Sequence, residues 1–208
     1  MTTPALVCAV LPSEIDLPNW MPVYIRVELM EQLVCSGARN PAVLAFAERF
    51  APPWLGTIER LQALLDGMHS VVVYEPEPAR ADGTVIQEKL RQAITTLAEK
   101  RMGDCNNLSI AYAAMARALG FNAVATWVHQ PGLPVDHVAA QVCLGGNPGD
   151  KAAARYDLTL TAPPSASCKL TWVWVETTLP GARVGAHPYD EAVRLGAISR
   201  TDLPPLAK

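Results

Sequence analysis

The sequence predicts an α+β fold in which a central helix, carrying a cysteine in its first turn, packs on an antiparallel sheet behind an N-terminal helical extension. Three observations predict it. Helix-period apolar stripes dominate the chain as far as Gly120. After Gly120 the pattern changes to β-branched and aromatic residues alternating with a period of two. Finally, 208 residues that are half hydrophobic and 18% charged suit one full-sized core rather than a disordered chain. The expected division is a helical extension over residues 1–69 packed on a core domain over residues 70–208.

Residues 1–18, with Pro4, Pro12 and Pro18, read as an extended lead-in. Asn19 is placed to cap a helix from about Trp20 to Cys35, with Val23, Val27, Met30 and Val34 on one face and Ser36–Gly37 as its stop. Asn40–Pro41 starts a second helix, since proline suits the first helical position, and its stripe is Val43, Phe46, Ala47 and Phe50. Pro52–Pro53 breaks it. A third helix buries Ile58, Leu61, Leu65 and Met68. This first third contains no polar cluster that calls for a catalytic explanation. Val71–Tyr74 is a short strand, and Glu75–Gly83 a loop. Ile86, Leu90, Ile94 and Leu97 mark a further helix, on which Glu88, Lys89, Arg91, Glu99 and Lys100 form a solvated face.

The next helix opens at Gly103–Asp104–Cys105–Asn106–Asn107. Leu108, Ala111, Tyr112, Met115 and Leu119 form its buried face, and Gly120 its stop. Asp104 is its N-cap, so Cys105 lies in the first turn, where the positive end of the helix dipole favours a thiolate. Phe121–His129 and Asp136–Leu144 are strands joined by the turn Pro131–Pro134. In the second, His137, Ala139, Gln141 and Cys143 share one face. Gly145–Ala154 is a loop, Tyr156–Leu160 an edge strand, and a further loop surrounds Pro163–Pro164. Leu170–Glu176 is the last clear strand, with Trp172, Trp174 and Glu176 on one face, and residues 188–199 close the chain as a helix.

The totals exclude several classes of function. A net charge of -3 gives no reason to expect nucleic acid or an anionic membrane as partner. No apolar run is long enough to span a bilayer, and the mildly apolar start lacks the basic region of a signal peptide. Cys8, Cys35, Cys105, Cys143 and Cys168 show no CxxC spacing. This odd, scattered set argues against a disulfide framework and a zinc knuckle and for a reducing compartment.

A cysteine nucleophile needs a base to take its proton and a third group to orient the base. Cys105 at a helix start, His137 opening a strand and Glu176 closing a later one stand in that order, and adjacent antiparallel strands can present the last two side by side. The backbone N–H of Cys105 and a second donor would hold the oxyanion. His69, His129, His187 and Cys143 read as surface, cap or core residues. Asp136 points to the face opposite His137, so it is not the acid. The three site residues lack the local spacing of a metal site, so neither a metal nor another cofactor is expected.

Three blocks of the sequence resemble the transglutaminase-like superfamily: Gly103–Ser109 with Ala116–Ala123 at the end of its helix, Asp136–Val142, and Trp172–Thr178. The resemblance covers roughly residues 70–190, and Gly185–Ala186–His187–Pro188 is most similar to members encoded by bacteriophages and prophages. It implies a papain-like fold and thiol chemistry on amide bonds, with Cys105 as nucleophile, His137 as base and Glu176 as orienter. There are two departures from the family pattern: the acid is Glu rather than Asp, and Asn106–Asn107 stand where many relatives have two Asp. The resemblance implies a protein or peptide substrate, other virion or tail proteins as partners, and a location in the bacterial cytoplasm or in a phage virion. The alternative is a structural virion or tail protein that keeps the fold without activity.

Overall fold

The computed structural model describes residues 8–78, 88–129, 136–144, 159–161 and 171–197. Their main apolar cluster runs from Leu17 to Ala182 and includes side chains of the N-terminal helices as well as of the sheet.

At the centre is the helix α4, Cys105–Ala118; three helices precede it, α1 (Val23–Ala38), α2 (Pro41–Phe50) and α3 (Thr57–His69). The expected single buried face of α4 is an underestimate, because every residue from Asn106 to Ala116 is buried. Alanines at 111, 113, 114 and 116 leave room for neighbours on all sides, so α1, α2 and α3 cover what the sheet does not. Burial of Leu108, Ile110 and Met115 contributes about 1.5–3 kcal/mol each. Gly120, at φ 91°, ends the segment as expected.

The sheet has the order β7-β5-β6-β8 and is antiparallel throughout: β5 is Asn122–His129, β6 His137–Leu144, β7 Thr159–Thr161 and β8 Thr171–Val175. Val138, Ala140 and Val142 face α4 and join the main core, whereas Ala139 and Trp174 lie in a second cluster with Val128. The alternation read for β6 therefore holds. A short helix, α5 (Pro188–Arg194), follows β8; the ring of its capping residue His187 accepts from the Tyr189 N–H. Residues 131–134 and the loops around 145–154 and 163–164 lie outside the described residues.

Four expectations need correction. The helix α1 starts three residues later than read and runs through Gly37, which is no stop: a Cβ there would come within 2.8 Å of the Ala114 Cβ and 2.9 Å of the Ala93 Cβ. This glycine lets two segments meet. Second, the expected helix from Ile86 begins instead as the strand β3, Glu88–Arg91, paired antiparallel with β1, Glu14–Leu17, inside the expected extended lead-in. A π-helical turn, Thr95–Lys100, follows it. Third, the strand expected over Val71–Tyr74 is present but shorter: Val73–Tyr74 forms β2 and pairs in parallel with β4, Met102–Gly103. Fourth, Cys8 and Cys35 form a disulfide, and Cys143 is also disulfide-bonded rather than a free core residue. Cys105 is the free thiol among the described residues.

Candidate active site

The N-cap of α4 behaves as read: Asp104 accepts from the Asn107 N–H at 2.9 Å. The network beyond it was not legible. Asn107 takes the Arg91 N–H on its side-chain oxygen at 2.7 Å. Its amide donates to the Lys89 carbonyl at 3.0 Å and to Asp104 at 2.8 Å. The Asn106 amide donates to Glu88 at 3.1 Å. Glu88, expected on a solvated face, is buried and ion-paired with Arg26 of α1. So the first third does supply a charged group to the surroundings of the site.

Glu77 completes this network. Its Oε1 accepts from the Lys89 N–H at 2.7 Å, and its carboxyl hydrogen-bonds Asp104. Burial, the bond to Asp104 and the Asp104 charge push Glu77 up to about 9, so it carries a proton at neutral pH. Asp104 is also raised by burial, against the hydrogen bonds that it accepts from Glu77 and Asn107. These contacts account for Asn106 and Asn107. Three acids already converge here, so a fourth and fifth carboxylate would have no donors to offer them.

His137 and Glu176 meet across the β6–β8 pair. His137 Nε2 lies 2.7 Å from Glu176 Oε2, and the imidazole also hydrogen-bonds Cys105, which leaves Nδ1 for the sulfur. The other Glu176 oxygen accepts from both the N–H and the hydroxyl of Thr178, at 2.8 and 2.6 Å. This pair of donors holds the longer acid in place. Burial opposes charge on both partners and is the largest single influence on each, but their mutual attraction and the hydrogen bonds from Cys105 and Thr178 together outweigh it. The Glu176 charge, with hydrogen bonds to Cys105 and Glu176, lifts His137 well above 6.5, and His137 and Thr178 hold Glu176 below 4.5. All three residues singled out in the sequence are thus brought together.

Other candidates fall elsewhere. Asp136 holds the Trp127 indole N–H at 2.9 Å and the His129 ring at 2.5 Å. His69, in the last turn of α3, is half-buried, and its Nε2–H donates to the Thr177 carbonyl at 2.8 Å. One residue that sequence reasoning missed is Tyr74. Its register opposite Gly103 sets it beside the start of α4. Burial and the charges of Cys105, Asp104 and Glu176 push its phenol up to about 12. The strand that holds it was legible in the sequence, but its parallel pairing with Met102–Gly103, which sets Tyr74 there, leaves no local mark. Beside the site, a cavity of about 360 Å³ lies between the Glu75–Pro78 segment, Lys89, Arg91, Lys100 and Asp104.

No family model and no curated protein matches the chain. Several solved structures are similar to it. A candidate cysteine protease from Cytophaga hutchinsonii aligns at a TM-score of 0.44 and 16% identity, over 74% of this chain and 46% of the other. A candidate protease from Parabacteroides distasonis aligns at 0.44 and 14%, over 79% and 31%. The periplasmic domain of TgpA from Pseudomonas aeruginosa aligns at 0.38 and 16%, over 55% and 45%. The chain spans less than half the length of each.

Proposed function

We propose that the protein is a thiol enzyme acting on amide bonds, with Cys105 as nucleophile, His137 as acid and base, and Glu176 as the group that orients the imidazole. The observation that carries this is the continuous relay of sulfur, imidazole and carboxylate, built on the free cysteine. Each atom has a defined task. The imidazole takes the proton of Sγ, and the thiolate attacks the amide carbonyl carbon. The negative charge that develops on the carbonyl oxygen is met by the Cys105 backbone N–H and, in this reading, by the Tyr74 hydroxyl. As the C–N bond breaks, His137 gives its proton to the leaving nitrogen, and a thioester remains. Water or an amine then attacks the thioester, losing its proton to His137, and the sulfur leaves as a thiol.

The disulfides favour an oxidising compartment over the bacterial cytoplasm, because thiols stay reduced in most cytosols. A protein or peptide substrate is what the resemblance to the transglutaminase-like superfamily implies. The finer assignment to a phage-encoded, virion-associated member rests on the Gly185–Pro188 resemblance. A structural virion or tail role without activity draws on Trp20, Tyr24 and Trp54 of the helical layer, which stand exposed where a partner could cover them.

Intact-mass spectrometry of the protein mixed with an activated acyl ester tests the enzyme reading. One acyl group on Cys105, absent from Cys105→Ser, is expected. Acylation spread over lysines with no Cys105 adduct would overturn it.

A further inference from the structure

We propose that Ser109 and Thr177 are positioning residues that hold the nucleophile helix and the two strand ends in mutual register, an inference that rests on the thiol-enzyme reading above. Cys105, His137 and Glu176 come from three different elements, and each has a partner at this pin. Ser109 stands one turn beyond Cys105, at the i+4 position on the same side of α4. Val138 follows His137 and Thr177 follows Glu176. The Ser109 hydroxyl donates to the Val138 carbonyl at 3.0 Å and lies 2.8 Å from the Thr177 hydroxyl.

The proton count gives this contact a direction. Ser109 has one hydroxyl proton, and the Val138 carbonyl can only accept it. Thr177 therefore donates to Ser109, and the chain runs Thr177 O–H to Ser109 Oγ–H to the Val138 carbonyl. From the other side His69 Nε2–H donates to the Thr177 carbonyl at 2.8 Å. Thr177 is thus gripped by α3 and α4, one residue from the carboxylate that orients His137.

Both hydroxyls are wholly buried, with 0% exposure. Placing a serine and a threonine there costs desolvation that alanine and valine would avoid. A hydrogen bond that serves stability alone could tie any two elements. This one meets each of the three chain segments within one turn of its reacting group. Unlike the Asp104 network, it touches neither the solvent nor the cavity, so its loss changes alignment without changing charge.

The test compares wild type, Thr177→Val, Thr177→Ser and Ser109→Ala. For each, the rate of Cys105 alkylation by iodoacetamide at pH 6 is divided by the rate for the same chain unfolded in guanidinium, with circular dichroism as a check on folding. Thr177→Val keeps the shape and loses the proton, so a drop of about tenfold or more is expected while the fold persists, since small misplacements of reacting groups are costly. Ser109→Ala should fall as far, and Thr177→Ser should stay within about threefold of wild type. If Ser109→Ala does not fold, the two Thr177 variants decide. A Thr177→Val rate equal to wild type, or a Thr177→Ser rate as low as that of Thr177→Val, would overturn the assignment. A wild-type rate no greater than that of the unfolded chain would instead remove the thiol-enzyme reading, and the positioning role with it.

Discussion

Replacing Glu77 by Gln should make the protein more stable in alkali and leave it almost unchanged in acid. In the folded chain Glu77 holds its proton up to about 9, because burial and the neighbouring Asp104 disfavour its charge. Unfolded, it would titrate near 4.5. Its contribution to stability is thus fully present below 4.5 and is lost as pH rises through about 9. Each unit of a pKa difference is worth about 1.4 kcal/mol in full, but Glu77 is partly exposed and solvent screens much of that. A loss of about 1–2 kcal/mol between pH 5 and pH 9 is the discounted figure. Glutamine keeps both contacts: its amide donates to Asp104 and its oxygen accepts from the Lys89 N–H, with no proton to take up. Denaturant unfolding of both proteins over this range gives the difference directly, since titrating groups not coupled to Glu77 cancel. The variant should match wild type at pH 5 and exceed it by about 1–2 kcal/mol at pH 9. A difference that is flat with pH would refute a shared proton between Glu77 and Asp104.

Three further outcomes follow from named contacts. Gly37→Ala puts a methyl against two others fixed to backbone, at 2.8 and 2.9 Å, so thermal unfolding should show a loss of about 1–3 kcal/mol. Asn107→Asp cannot donate to the Lys89 carbonyl or to Asp104; denaturant titration should show a loss of about 2–4 kcal/mol, largest at high pH, where the added carboxylate is ionised. Cys35→Ser opens a loop of 27 residues, and its melting curve should lie about 3 kcal/mol below wild type under oxidising conditions and coincide with it once both are reduced.

What was legible in the sequence had a period or a cap. The Asp104 cap, the Asn40–Pro41 start, the alternation of β6 and the adjacency of His137 and Glu176 all follow from short-range rules, and together they bring the three candidate residues to one place. The rest depends on contacts between distant positions. Glu88 looked solvated because Arg26, its partner, lies 62 residues away. Leu90 and Leu97 kept a helical spacing by coincidence, which hid a four-residue strand and a π-helical turn. Gly37 read as a stop because its real reason, Ala114 of another helix, leaves no local mark. The Cys8–Cys35 disulfide has no spacing signature.

The proposed chemistry requires His137 to activate Cys105. Iodoacetamide alkylation of Cys105 at pH 6, in wild type and in His137→Ala, measures that dependence. Wild type should react faster than its own unfolded chain, and His137→Ala should lose that excess, by about tenfold or more. Equal rates in the two proteins would contradict it.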